Sequence, residues 1–277
     1  MKPAEDILAE RGVDVSINVE NVTGAGGLNG ARRVLSKPAD GYTIFASTNA
    51  ITPNVALDKA DFTLDDWAGI ARVQHDTSWI YSSGRDGVGH KSVDSLLEKA
   101  KNEGIQLGAV GGVLGGAFTI QFAKAAGIWE NTQIVTYNDA GRMRTDVISG
   151  EIDGAFGEIQ EMKSAYQDGE VSLLVVGTED SVEDFPDVTA AGERGWDATF
   201  GTMRGFNAKA GTPTEALDYW SQLVEEAMQT DSYQQLAEET MVDLRPGYLG
   251  RQEWMNQMEE NLEFYNKMEK LYNEKTS

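Results

Sequence analysis

Between residues 105 and 178 the chain repeats one pattern: a short apolar run, a glycine-bearing turn, then an amphipathic stretch. IQLGAVGG runs into AFTIQFAKAAG, QIVTYND into MRTDVISGE, IDGAFGE into EMKSAYQDGE, and VSLLVVGT closes the series. The short runs have strand length, while the stretches between them carry helical spacing and glycine stops. Strands alternating with helices at this rhythm mean an α/β fold with largely parallel sheets.

The flanking regions fit the same class. AEDILAERG reads as a helix with Ile7 and Leu8 inward and Gly12 as its stop, and VDVSINV alternates Val13, Val15, Ile17 and Val19 at strand period. A helix carrying Ala31, Val34 and Leu35 follows the loop NVTGAGGLNG, and GYTIFAST is a second strand after the turn Pro38-Ala39-Asp40-Gly41. FTLDDWAGIARV leads into a third strand, TSWIYSS, and Ser92 caps the helix of SVDSLLEKAKNEG. Thr212-Pro213-Thr214-Glu215 reads as a capping box with Pro at the first helical position. The helix behind it carries Leu217, Trp220, Val224 and Met228, and a last helix from about Arg251 repeats Trp254, Met258, Leu262, Tyr265 and Tyr272. Both stripes are core packing.

The chain of 277 residues suggests one large domain or two ordinary lobes. Its formal net charge of −22 argues against nucleic acid, whose phosphates need clustered Lys and Arg, and against an anionic membrane surface. The acidity fits either life in high salt, where the Debye length shrinks to about 3 Å, or simply a soluble acidic protein. No cysteine is present, which removes disulfides, thiolate nucleophiles and Cys-based zinc sites. No run approaches the roughly 20 apolar residues that span a bilayer, and the start shows no signal-peptide pattern.

Two glycine-rich stretches echo each other. GAGGLNG (24–30) and GAVGGVLGG (108–116) each stand between an expected strand and an expected helix. Glycine there lets backbone approach a ligand closely, and free N–H groups at a helix start favour an anion; tight turns are the plainer explanation. The pair predicts two lobes whose loops face one another across a cleft. As a dinucleotide fingerprint, GAGGLNG has its third glycine one residue late, with Asp40 downstream. No Gly-Lys-Ser/Thr follows either loop, and there is no G-x-S-x-G elbow. The two histidines, His75 and His90, lack ligand-like spacing and are expected on the surface or in loops. Acidic doublets such as Asp65-Asp66 and Glu259-Glu260 are solvated charge. None of these residues makes a credible active site, and none is expected to hold a cofactor or a metal.

The segment ENVTGAGGLNGARRVLSKPADGYTIFAST resembles the substrate-binding proteins of tripartite tricarboxylate transporters, the TctC or Bug family. Asn21, Gly24 to Gly27, Gly30, Asp40, Gly41, Tyr42 and Thr43 match the family pattern, and Tyr137, Gly150 and Asp153 keep the spacing of a later one. DFPDVTAAGERG and GFNAKAGTPTEALDYW extend the likeness to practically the whole chain. In two respects the sequence departs from the family. It starts inside what resembles the first helix, without the family's earlier strand and glycine loop, and Asp139 and Ala140 replace a glycine and a small polar residue.

The resemblance implies a two-lobed periplasmic-binding-protein fold of type II, with residues 1–80 and 204–277 in lobe I and 81–203 in lobe II. It implies a non-catalytic receptor, monomeric and extracytoplasmic (periplasmic or cell-surface, with a lipid anchor open for a full precursor). Its partners would be a small carboxylate and the membrane subunits of a transporter. The implied ligand-binding residues are Gly24, Ala25, Gly26 and Gly27; Thr48, Asn49 and Ala50; Gly111, Gly112, Val113, Leu114 and Gly115; and Tyr137, Ala140, Gly141, Arg142, Glu158 and Arg204. Arg142 and Arg204 are the cationic candidates; an ordinary surface role is the alternative for each. Two other functions stay open at this point: an NAD(P)-dependent oxidoreductase using the Gly24–Gly30 loop, and a ligand-sensing module of a signalling receptor.

Overall fold

The computed structural model describes residues 1–48 and 51–276. The chain divides into two compact units: Met1–Asp76 with Thr202–Asn266, and Thr77–Gly201 with the end of the chain from Lys267. In chain order the first unit begins with α1 (Lys2–Glu10), α2 (Leu28–Leu35), β1 (Ile44–Thr48), α3 (Thr52–Ala56) and β2 (Trp67–His75). The second unit holds β3 (Ser78–Ser83), α4 (Val93–Glu103), β4 (Ile105–Val110), α5 (Val113–Ala125), β5 (Thr132–Tyr137), α6 (Ala140–Ser149), β6 (Gly154–Glu158), α7 (Ile159–Gln167), β7 (Val171–Val176) and β8 (Thr189–Ala190). The chain then returns to the first unit through β9 (Met203–Lys209), α8 (Thr214–Met228), α9 (Asp231–Thr240) and α10 (Arg251–Thr276). The alternation of strands and helices is the α/β class that the sequence predicts.

In the first unit the sheet order is β1-β9-β2, antiparallel throughout, with Thr48 opposite Arg204 and His75 opposite Met203. The expectation of largely parallel sheets fails here, because β9 enters from the returning chain and runs against both neighbours. The core gathers Leu28, Ala31, Ile51, Phe62, Trp67, Met203, Trp254 and Met258 on one side, and Ile70, Ala71, Ala208, Leu217 and Val224 on the other. A Cβ on Gly205 would fall 2.7 Å from the Trp254 ring, so the close seating of α10 on β9 requires glycine at that position. Trp254 Nε1 donates to buried Asn207 Oδ1 at 3.1 Å, which satisfies both polar groups inside the core.

In the second unit the order is β5-β4-β6-β3-β7-β8. Strand β4 runs parallel to β5 and β6, while β3 is antiparallel to β6 and β7. Trp79, Ile80, Leu107, Phe118, Phe122, Val147 and Val175 are buried around this sheet. The last turns of α10, expected in the first lobe, group with this unit instead. There the Lys275 ammonium lies 4.6 Å over the Trp129 ring, and the Tyr272 hydroxyl meets Thr136 Oγ1 at 3.2 Å.

Three local expectations need correction. VDVSINV forms no strand: Ile17 N donates to Glu5 Oε1 and Val13 N to Leu8 O, so these amides are spent locally. Val13, Val15 and Val19 stay exposed. The capping box at Thr212 does not form, because the Thr212 hydroxyl donates to Lys209 O and Pro213 itself takes the N-cap position. Of the two histidines, His75 ends strand β2 instead of lying in a loop, and His90 does lie in a loop but not at the surface. His90 is mostly buried beside Asp153, and His75 lies within a cluster of arginines where Arg72 Nη1 approaches its Nδ1 at 3.3 Å.

Burial, with the Arg245 and Arg72 cations alongside, pushes the His75 imidazole down to about 2. Its folded value lies below the unfolded value of about 6.5, so the unfolded chain takes up the proton first. The stability this neutral ring allows is complete above pH 6.5 and is lost as pH falls below it. Chemical denaturation should therefore show a loss of about 2 kcal/mol between pH 7 and 4.5, and His75→Gln should flatten that part of the profile. An unchanged slope in the variant would contradict this assignment.

Candidate functional site

In the second unit, the parallel strands β5, β4 and β6 end side by side at Tyr137, Val110 and Glu158. The carboxyl ends of parallel strands are where open α/β sheets hold ligands. After Val110, Gly111 (φ 70°) and Gly112 (φ 68°) take a backbone conformation that side chains resist. Gly111 N donates to Tyr137 O at 2.8 Å, which ties this loop to the end of β5. Helix α5 then starts at Val113 with no side-chain cap. The first amides of a helix have no acceptor within it, so those of Val113, Leu114 and Gly115 are donors for an anion. A Cβ on Gly115 would stand 2.3 Å from Val110 O, and one on Gly116 2.6 Å from Ala109 Cβ. Glycine at both positions lets the helix start lie directly on the strand it follows.

The neighbouring helix start is built differently. Asp139 caps α6, its Oδ1 accepting from Arg142 N at 2.7 Å. Buried Asp146 accepts from the Tyr137 hydroxyl at 3.0 Å and from Arg142 Nε at 3.1 Å. Burial and this bond to Asp146 raise the Tyr137 phenol above its ordinary value. Ala140, Gly141 and Arg142 thus form a self-capped turn beside the Gly111 loop, with the Arg142 side chain largely in solvent. On the other flank, Glu158 ends β6 and accepts from Gln160 Nε2 at 3.4 Å; burial and the Glu158 charge raise the Glu161 carboxyl.

In the first unit, Gly24 (φ 110°), Ala25 (φ 49°), Gly26 (φ 62°) and Gly27 (φ 91°) are four successive residues at positive φ. Ala25 is the strained member of that run, since its Cβ disfavours the conformation. Two asparagines hold the loop: Asn29 Nδ2 donates to Thr23 O at 3.0 Å, and buried Asn54 Nδ2 donates to Gly26 O at 3.1 Å. Helix α2 follows without a side-chain cap. The loop precedes a helix as expected, but the segment before it is the unpaired stretch described above. Thr48 ends β1 opposite Arg204 of β9, and Arg204 pairs with the carboxylate of buried Asp76, which also accepts from Gln74 Nε2 at 2.8 Å. Burial lowers the Arg204 guanidinium from its ordinary value. Asn49 and Ala50 lie outside the described residues.

The structure thus gathers Gly111–Gly115, Tyr137, Ala140–Arg142 and Glu158 at one end of the second unit's sheet. In the first unit it places Gly24–Gly27 against Asn54, and Thr48 against Arg204. Sequence reading missed the residues that hold these groups: Asn29, Asn54, Asp76, Asp139 as a cap, and Asp146. Only Asp139 had a local signal, since Asp before a helix is a common cap; the others act through the fold. Asp153 proves structural. It accepts from Gln106 N at 2.8 Å and Lys99 Nζ at 2.5 Å; burial raises its carboxyl, but those bonds and His90 outweigh burial and hold it at about 2.

Backbone amides presented at helix starts are the equipment of a protein that binds a solute. The model of the tripartite tricarboxylate transporter family receptor, TctC, matches residues 5–273, and the chain belongs to this family. Its members are solute-binding receptors, not enzymes, and the match lends no support to the oxidoreductase or signalling alternatives. Solved structures share the fold. A TctC solute-binding protein from Polaromonas, without ligand, aligns with a TM-score of 0.77 at 19% identity, covering 96% of this chain and 90% of that one. MatC from Rhodopseudomonas palustris, with bound malate, aligns at 0.70 and 19% identity, covering 96% and 93%. A second R. palustris protein, with adipate, aligns at 0.74 and 19% identity, covering 98% and 91%. No curated protein sequence matches the chain.

Two first-turn glycines in adjacent helices should respond oppositely to alanine. Gly115→Ala drives a methyl group into Val110 O and should cost about 1–3 kcal/mol in urea unfolding. Gly141→Ala meets only Asp139 Oδ1 at 3.2 Å and gains up to about 1 kcal/mol of helix propensity, so its midpoint should hold or rise. Equal losses in both would show that α5 is not seated on β4 as described.

Proposed function

We propose that this protein is an extracytoplasmic receptor that captures a small organic carboxylate and delivers it to the membrane subunits of a tripartite transporter, acting as a monomer. The observation that carries this reading is the uncapped start of α5, opened by Gly111 and Gly112 at the carboxyl end of β4. Amides at such a start take a carboxylate without a buried cation, and each charge-assisted hydrogen bond contributes about 1.5–3 kcal/mol. Two or three of them support micromolar affinity once part of the gain is spent on ordering. Malate in MatC and adipate in its R. palustris relative are ligands of this chemical class. On this reading Tyr137 adds a polar side chain beside the α5 amides of the second unit. In the first unit, the Gly24–Gly27 loop offers amides of the same kind, and Thr48 and Arg204 offer polar side chains.

Calorimetric titration with succinate, malate, adipate, citrate and an aromatic dicarboxylate, in high salt, tests the proposal. Saturable binding of at least one at micromolar concentration is expected, with affinity weakened tenfold or more by Gly115→Ala. Failure to bind any of a broad carboxylate panel would remove the chemistry on which the reading rests.

A further inference from the structure

In a chain of net charge −22, the first unit gathers arginines around one imidazole. Arg72, only 5% exposed on β2, donates from Nε to Gly247 O at 2.8 Å and from Nη2 to Pro246 O at 3.0 Å. Its third contact is His75 Nδ1 at 3.3 Å. All three partners are dipoles, and the Glu253 carboxylate acts on this guanidinium through space. Arg245 donates to Asp76 O at 2.5 Å and stands close enough to Arg72 and His75 to repel a positive charge on either. The buried Asp76 carboxylate is taken up by Arg204 and by Gln74 Nε2. Arginine has donors and no acceptor, so His75 Nδ1 accepts from Arg72 and the neutral ring carries its hydrogen on Nε2. That Nε2 is buried and, among the described residues, has no hydrogen-bond partner.

From this geometry we infer that His75 Nε2, with Arg72 and Arg245 beside it, binds a single-atom anion, a halide such as chloride, inside the first unit. A buried N–H without an acceptor is costly, and so is a buried guanidinium whose contacts are all dipoles. One negatively charged acceptor relieves both. A water molecule would serve the N–H and leave the charge of the two guanidinium groups unanswered. Burial sets the size: with Arg72 at 5% exposure and Nε2 shielded from solvent, the place suits an ion of one atom rather than an organic acid with its carbon skeleton. The inference does not rest on the carboxylate-receptor reading, and the glycine loops take no part in it.

Any salt screens the self-repulsion of so acidic a chain, so the test holds ionic strength fixed. Thermal unfolding is followed at pH 8, where the unfolded ring is also neutral, while sodium gluconate is replaced stepwise by chloride, bromide or acetate. Chloride and bromide should raise the midpoint saturably, by about 5 °C at 0.5 M for a site half-filled at roughly 10 mM. Acetate should give no such rise. His75→Leu removes the Nε2 hydrogen and should lose the halide response. Crystals grown in sodium bromide should show an anomalous peak in contact with Nε2, and this decides the matter alone if the variant fails to fold. Equal midpoints in halide and gluconate, a rise in acetate equal to that in chloride, an undiminished response in His75→Leu, or a water molecule in place of bromide at Nε2 overturns the inference.

Discussion

Strand β9 holds the first unit together. It lies between β1 and β2, bonded to both, and it arrives only after the chain has traversed Thr77–Gly201. Gly205 on this strand admits the Trp254 ring, and Asn207 carries the polar contact that fixes α10 across the sheet. Until β9 is in place, β1 and β2 lack their partner and Trp254 lacks its seat. The first unit is therefore a long-range assembly, the slow kind to form, whereas the parallel core of the second unit is built from neighbouring stretches of sequence.

The chemistry sits where backbone, rather than side chain, is made available. The Gly111–Gly112 entry frees the amides of α5, and the run of positive φ from Gly24 to Gly27 does the same before α2. Around them, the ionisable groups are tied to protein partners: Arg142 and Tyr137 to Asp146, Arg204 to Asp76, Lys99 to Asp153. A glycine turn costs stability in its own right, and these are offset by the close packing that Gly115, Gly116 and Gly205 permit.

Much of this was legible in the sequence because the second unit is local. Its strands and helices follow one another at short intervals, so period, caps and glycine stops placed all of them but the two-residue β8, down to Ser92 and Gly150. The glycine loops were visible for the same reason, and the family likeness covered the remainder. What escaped depended on partners distant in sequence. Strand direction in the β1-β9-β2 sheet is set by where the chain returns, which no window of residues reveals. Val13–Val19 has the period of a strand and no ladder to join, and the alternation cannot report on that. His75 looked like a loop residue because Arg245, which helps to bury its chemistry, lies far along the chain.

The neutrality of an amide cradle has a kinetic side in a chain of net charge −22. A carboxylate approaching such a surface is repelled over tens of ångströms in dilute buffer, while the hydrogen bonds that retain it act only within contact distance. Encounter and retention thus answer to different forces. On the carboxylate-receptor reading, raising the salt speeds the anion's arrival and leaves its departure nearly untouched, so such a receptor would fill faster in a saline medium without holding its cargo any longer.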